Sequence, residues 1–189
     1  FDLDKLNDIS RTELSRLSPE AMLAFLKEWA FAFGTEEQRN MFADEEYLLK
    51  VLALCMGTAG KKRRKDFVTA KQAMEEIGYF FAAYAQRDAY RVDDATRDAI
   101  LNGFLASYCH ENDAQVWFSK VKELAASLGF AAEMRDYKAN PEAYRGNVSD
   151  VAEVLRIAVT GRANSPDLWS IMQILGEERT RSRILAARA

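Results

Sequence analysis

The sequence predicts an all-α protein built as two consecutive helical bundles. Three observations predict it. Apolar residues recur at helical spacing along most of the 189 residues. The segments they mark are bounded by cap residues and by glycines at helix exits. No run alternates apolar and polar residues between hairpin turns, as paired strands would.

Each element follows from local chemistry. Ser18-Pro19 opens "PEAMLAFLKEWAFAFG" with a cap and a proline at the first helical position, and Gly34 closes it. "DEEYLLKVLALCMG" carries acids in its first turn, where the helix dipole favours them, and stops at Gly57. In "DFVTAKQAMEEIGYFFAAYAQ", Phe67, Ala70, Met74, Ile77 and Phe81 keep helical spacing, so a helix is expected from Asp66 to Gln86. A composition shift over Gln86 to Asp94 marks the boundary between bundles, giving residues 19–90 and 91–189. Helices follow at Asp93 to Tyr108 and Asp113 to Leu128, the second ending at Gly129. Phe130 to Asn147 is polar and broken by Pro141 and Gly146, and reads as a long loop. Val148 to Val159 and Pro166 to Leu175 are amphipathic helices either side of a polar hinge, "TGRANSP", and a last helix starts at Glu177.

Composition narrows the function. Hydrophobic residues at 49% and charged residues at 29% describe a soluble globular chain. No apolar run approaches the roughly 20 residues of a membrane span, and no signal peptide is visible. The chain begins "FDLDKLND" without methionine, which fits a piece of a longer protein. Cys55 and Cys109 lie far apart and read as isolated thiols of a reducing compartment. The net charge of -3 argues against a generic nucleic-acid binder held by bulk charge. Cations are nevertheless grouped, as "KKRRK" from Lys61 to Lys65 and as Arg179, Arg181, Arg183 and Arg188. Such runs alone are usually solvated faces.

Nothing reads as a catalytic centre. His110 is the one histidine, and the side chains of Cys109 and His110 would point about 100° apart on a helix. No GxSxG, P-loop or GxGxxG pattern occurs, and no cysteine–histidine spacing suits a metal. The residues describe a binding module.

The segment Gly146 to Ile184 carries a resemblance. It contains Asp150-Val151-Ala152, Leu155-Arg156, Ala158 with Thr160-Gly161, Ser165-Pro166 with Leu168, and Leu175-Gly176 with Glu178-Arg179. In this order and spacing they resemble the C-terminal anticodon-binding region of bacterial glutamyl–tRNA synthetases. "WFSKVKELAASLGF" and "YKANPEAYRGN" resemble the segment before it, and "TAKQAMEEIGYFF" resembles the first anticodon-binding bundle. "FDLDKLN" resembles the end of the stem-contact domain, so residues 1–18 are assigned to its tail. Relatives carry a tryptophan and an asparagine shortly after that segment, where this chain has Asp8 and Ser10.

The resemblance implies a cytoplasmic, monomeric tRNA-binding fragment with tRNA(Glu) as partner and tRNA(Gln) as the alternative one. It implies no cofactor in this chain, because ATP and Mg2+ belong to the family's catalytic domain. The signatures of that domain, His-x-Gly-His and Lys-Met-Ser-Lys, do not occur here, so the chain is expected to make no Glu-AMP. A helical protein-interaction scaffold that has kept the fold without RNA binding is the alternative.

Splayed bases of an RNA loop are read by stacking and by hydrogen bonds to their edges. The resemblance assigns anticodon contacts to Arg156, Ser165, Pro166, Leu168 and Trp169, with Ser165-Pro166 opening a helix. On the residues alone, Arg156 is a surface charge and Trp169 packs in a core. The phosphate backbone is assigned to Lys61, Lys62, Arg64 and Lys65. An arginine that favours C as third anticodon base in discriminating relatives aligns with Asp66. Arg63, expected one helical turn earlier, would pair with Asp66 or replace that arginine.

Overall fold

The computed structural model describes residues 2–58, 63–81 and 88–188. Among them are eleven α-helices, three short 3-10 turns and no strand, so the all-α expectation holds. The chain divides into two compact units, Phe1–Ala83 and Tyr84–Ala189. No helix among the described residues is long and apolar enough to cross a membrane.

The first unit opens with α1 (Leu3–Arg16), capped by the Asp2 side chain. In α2 (Pro19–Phe33), the Ser18 hydroxyl accepts the Ala21 N–H at 3.1 Å, as the Ser-Pro start predicts. A reciprocal Thr35–Gln38 capping box starts the short α3 (Glu36–Asn40). α4 (Glu45–Met56) begins on Asp44 and ends at Gly57, whose φ of 69° is left-handed. α5 (Ala70–Ile77) and α4 both pack on α2. Met22, Leu26, Leu48, Leu52, Met74, Ile77 and Phe80 are fully buried and form this core.

The expected helix from Asp66 begins later. Residues 63–68 are not helical, and Thr69 is the cap, its hydroxyl accepting the Gln72 N–H at 3.2 Å. Gln72 folds back, accepting from the Val68 N–H at 2.9 Å and donating to the Asp66 carbonyl at 3.2 Å. The Ser10 hydroxyl of α1 donates to the Val68 carbonyl. The Asp66 and Val68 carbonyls, which a helix from Asp66 would give to the Ala70 and Gln72 N–H groups, take these side-chain donors instead. Phe67 is buried from this irregular segment, which imitated helical spacing in the sequence. Continuation of the expected helix to Gln86 falls outside the described residues beyond Phe81.

The second unit contains α6 (Asp94–Ser107), α7 (Ala114–Ser127), α8 (Met134–Ala139), α9 (Val148–Thr160), α10 (Leu168–Leu175) and α11 (Glu177–Ala186). α9 is its central helix, packed against α6, α7 and α11. Val151, Leu155, Ile157, Ala158 and Val159 of α9 are buried, with Ile100, Leu101, Ile171, Met172 and Ile184 around them. α6 and α7 approach closely at Gly103, where a Cβ would strike the Leu124 side chain.

The stretch read as a long loop has structure of its own. It holds α8 and a 3-10 turn at Pro141–Ala143, and Ala131 pairs with Asn147 in an isolated parallel bridge. Arg145 N–H donates to the Gly129 carbonyl, Ala131 N–H to Gly146 and Val148 N–H to Ala131, at 2.8–2.9 Å. The polar composition hid a segment whose backbone groups pair with one another.

The arginine-rich end serves the fold. Arg181 Nη2 donates to the Tyr108 carbonyl at 2.8 Å, just past α6, and Arg183 Nη1 donates to the Val159 carbonyl in the last turn of α9 at 2.8 Å. Guanidinium groups at helix C-termini satisfy orphan carbonyls and complement the dipole.

Replacing Thr69 by Ala should lower stability by about 1 kcal/mol, and Thr69→Ser should recover most of it. Denaturant midpoints of the three proteins check this, and an unchanged midpoint in Thr69→Ala would mean the cap contributes nothing.

Candidate nucleic-acid interface

The site is built on the turn between α9 and α10. α9 stops at Gly161, whose φ of 76° lies in the left-handed region that glycine adopts at least cost. The buried Thr160 hydroxyl donates to the Arg156 carbonyl at 2.8 Å and accepts the Arg162 N–H at 3.2 Å. Asp88 closes the turn from a distant part of the sequence. Its N–H donates to the Gly161 carbonyl at 3.1 Å, and its carboxylate accepts the Ala163 N–H at 2.7 Å. The sequence expectation placed residues up to 90 in the first bundle. These bonds tie Asp88 to α9, and it lies in the second unit.

Arg156 holds the other side of the turn. Its Nη1 donates to the Pro166 carbonyl at 2.7 Å, to the Ser165 carbonyl at 3.3 Å and to the Ser165 hydroxyl. The fold therefore brings Arg156, Ser165 and Pro166 together in one cluster. The helix does not open at Ser165-Pro166. Asp167 is the cap of α10, accepting the Ser170 N–H at 2.8 Å and its hydroxyl at 2.7 Å. The Ser165 and Pro166 carbonyls face the guanidinium instead.

Leu168 is 2% exposed and belongs to the core. Trp169 is half-buried, and its Nε1 donates to the Asn112 carbonyl at 3.0 Å. The 108–113 stretch that it holds contains the lone histidine. There the Tyr108 hydroxyl meets His110 Nδ1 at 3.0 Å, while the Cys109 thiol donates to Glu111 at 3.1 Å. Burial pushes the Tyr108 phenol above its ordinary value, and the thiol's bond holds Glu111 below its own. Cys109 and His110 thus have separate partners and form no dyad. Among the described residues no group of three or more His, Cys, Asp or Glu could hold a metal ion.

Beside the turn lies a recess of about 340 Å³. Ser149, Ala152, Glu153 and Arg156 line it from one face of α9, at positions i, i+3, i+4 and i+7. Val148, Phe118 of α7 and residues 163–165 complete it. The Glu153 carboxylate pairs with Arg91 at 3.3 Å. Sequence reasoning missed Asp88, Phe118 and Glu153, whose only sequence signal was Glu153's place one turn before Arg156.

The remaining expected contacts lie in the first unit, on the stretch before α5. Asp66 pairs with Arg64 at 2.6 Å, and not with Arg63. The helical spacing assumed for Arg63 and Asp66 is absent, and Arg63 Nη1 donates to the Leu17 carbonyl at 3.1 Å. Lys65 Nζ reaches the Thr12 hydroxyl at 3.5 Å. Lys61 and Lys62 lie outside the described residues.

A family model described as "Anticodon binding domain" matches residues 20–188. The chain belongs to this family. The anticodon-binding domain is 42% identical over 187 residues to a glutamate–tRNA ligase of Acetivibrio thermocellus, covering 97% of this chain and 34% of the relative. It is 37% identical over 193 residues to one of Clostridium perfringens strain 13, covering 97% of this chain and 35% of that protein. It thus spans about a third of the length of the curated relatives it matches. Among solved structures, the glutamate–tRNA synthetase of Elizabethkingia anophelis is similar with a TM-score of 0.61 at 19% identity. That likeness covers 99% of this chain and 32% of the other, and it is a likeness of fold.

Gly161→Ala should destabilise this domain by about 1–2 kcal/mol through its left-handed backbone. Gly161→Asn should cost less, since asparagine tolerates that region. Denaturation followed by tryptophan fluorescence measures both, and equal losses would refute the backbone explanation.

Proposed function

We propose that this anticodon-binding domain binds tRNA(Glu) and reads its anticodon loop with the turn between α9 and α10. The reading is carried by the family match over residues 20–188, within which that turn is fixed on both sides by Arg156 and Asp88. The glutamate–tRNA ligase names of the relatives favour tRNA(Glu) as the partner in this reading. A fixed turn suits readout, because groups already held in place lose little freedom when a base arrives.

Arg156 carries two tasks in this reading. It holds the Ser165 and Pro166 carbonyls, and its guanidinium lies on the wall of the recess. Ser165, Pro166 and Arg156 contact the loop, while Leu168 and Trp169 support the turn from the core and from Asn112. Arg64 and Lys65 accompany the phosphate backbone near the first unit. In a full-length ligase, ATP and Mg2+ act at the catalytic domain, and neither is assigned to residues of this chain.

Arg156→Ala should weaken binding to a tRNA(Glu) anticodon stem-loop by about 1–3 kcal/mol, the range of a good base contact. The unaltered chain should also bind less tightly as salt rises, with log K falling linearly in log salt. Titrations at two salt concentrations check both. Affinity that ignores salt, or no affinity at all, would favour a protein-interaction scaffold.

Asp66 bears on the choice between C and G at the third anticodon position. A carboxylate accepts, which suits the N1–H and N2–H donors of guanine, whereas an arginine would suit the acceptors of cytosine. A stem-loop carrying G there should therefore bind at least as tightly as one carrying C. A clear preference for C, lost in Arg63→Ala, would transfer discrimination to Arg63 and dismiss Asp66.

A further inference from the structure

We propose that the exposed aromatic face of α2 is a docking surface for a basic amphipathic helix of another protein. Phe25, Trp29 and Phe33 stand at positions i, i+4 and i+8 and so share one side of α2. Phe25 is 39% exposed and Phe33 78%, Trp29 is half-buried, and Ala21 and Ala32 on the same side are exposed. The residues that α2 buries are Met22, Leu23, Leu26 and Ala30, and the helix packs against α4 and α5. It is therefore apolar on more of its circumference than the first unit covers. Folding gains nothing from a phenylalanine left in water, and contiguous exposed apolar surface marks an interaction site. The tRNA reading above uses none of these residues, and the two stand independently.

Charge selects the occupant. From α2 to the first turn of α4, residues 20–46 carry seven acids and two cations. Both cations are engaged within the unit. Lys27 Nζ pairs with Glu45 at 2.6 Å, and Arg39 Nη1 donates to the Gly34 carbonyl at 2.6 Å. Glu28 lies one turn from Phe25, Glu36 and Glu37 follow shortly after Phe33, and all three are exposed. The surroundings of the aromatic face are thus negative, which repels RNA phosphates and anionic membrane surfaces. A second copy docked α2 on α2 would bring like charges together, so self-pairing is opposed as well. A helix with an apolar stripe at i, i+3, i+4 and i+7 covers the aromatic face, and Lys or Arg beside that stripe meet the carboxylates.

The test uses the full chain and two labelled synthetic helical peptides with the same leucine stripe, one flanked by lysines and the other by glutamates. Fluorescence anisotropy should show the lysine peptide binding and the glutamate peptide binding at least about tenfold more weakly. Phe33→Ser should weaken the lysine peptide about 5- to 50-fold at an unchanged melting temperature, because that ring is mostly in solvent. Leu185→Ser removes an exposed apolar side chain elsewhere and should leave peptide affinity unaltered. Absence of binding, equal binding of the two peptides, or equal losses in the two variants would overturn the proposal. Sedimentation of the unaltered chain checks self-association, and a dimer that dissociates in Phe33→Ser would make a second copy the occupant and overturn it too. Affinity for an anticodon stem-loop should be the same in Phe33→Ser and the unaltered chain, and a loss there would give the face to RNA instead.

Discussion

The contact between the Arg156 guanidinium and the carbonyls of Ser165 and Pro166 is the constraint on which the second unit's surface depends. A seven-residue turn between two helices, residues 161–167, would otherwise sample many conformations, each ordered residue costing about 1–2 kcal/mol. A single nitrogen, Nη1, meets all three acceptors, and the planar guanidinium fixes the direction of its N–H groups more closely than a rotating lysine ammonium would. Asp88 fastens the opposite end of the turn, and the left-handed Gly161 sets its entry. The turn is therefore held at its entry and its exit by groups that lie outside it.

The rest of the second unit serves to keep those groups in register. α9 supplies Arg156, Glu153 and Ser149 along one face, and its opposite face is buried against α6, α7 and α11. Burial of that face fixes the helix rotation, and the helix rotation fixes where the recess-facing side chains project. α7 presents Phe118 toward the recess while Trp117, one residue earlier, is buried. The paired backbone of residues 129–148 holds the start of α9 against the end of α7. The precision of a small polar site thus derives from apolar packing behind it.

Much of this was legible in the sequence because caps are local chemistry. Ser18-Pro19, Asp44, Asp93 and Asp113 each announced a helix that the structure contains. Gly57 marked a stop that only a left-handed residue makes cheaply. The same logic was available at Thr69 and Gln72, a T-x-x-Q pattern, but the periodicity of Phe67 spoke louder and suggested a helix from Asp66. At residues 130–147 the stabilising bonds join backbone groups, and side-chain composition does not encode them. The recess was illegible for a different reason. Phe118 and Glu153 are 35 positions apart, and Asp88 reaches Ala163 across 75, so their meeting is a product of tertiary folding. Arg156 and Ser165 were legible because a resemblance to a family carried them.

The arginines of α11 have a consequence for how this surface drifts over evolution. Arg181 and Arg183 end on carbonyls near the C-termini of α6 and α9, so their positive charge is directed inward at backbone dipoles. A guanidinium keeps its proton at any physiological pH, and these clasps stay closed where a histidine clasp would open and shut. Exchange for lysine would leave every electrostatic map of the protein nearly unchanged while losing the directed guanidinium N–H bonds to those carbonyls. Charge is then the wrong variable for judging which substitutions the tail tolerates, and hydrogen-bond geometry is the right one.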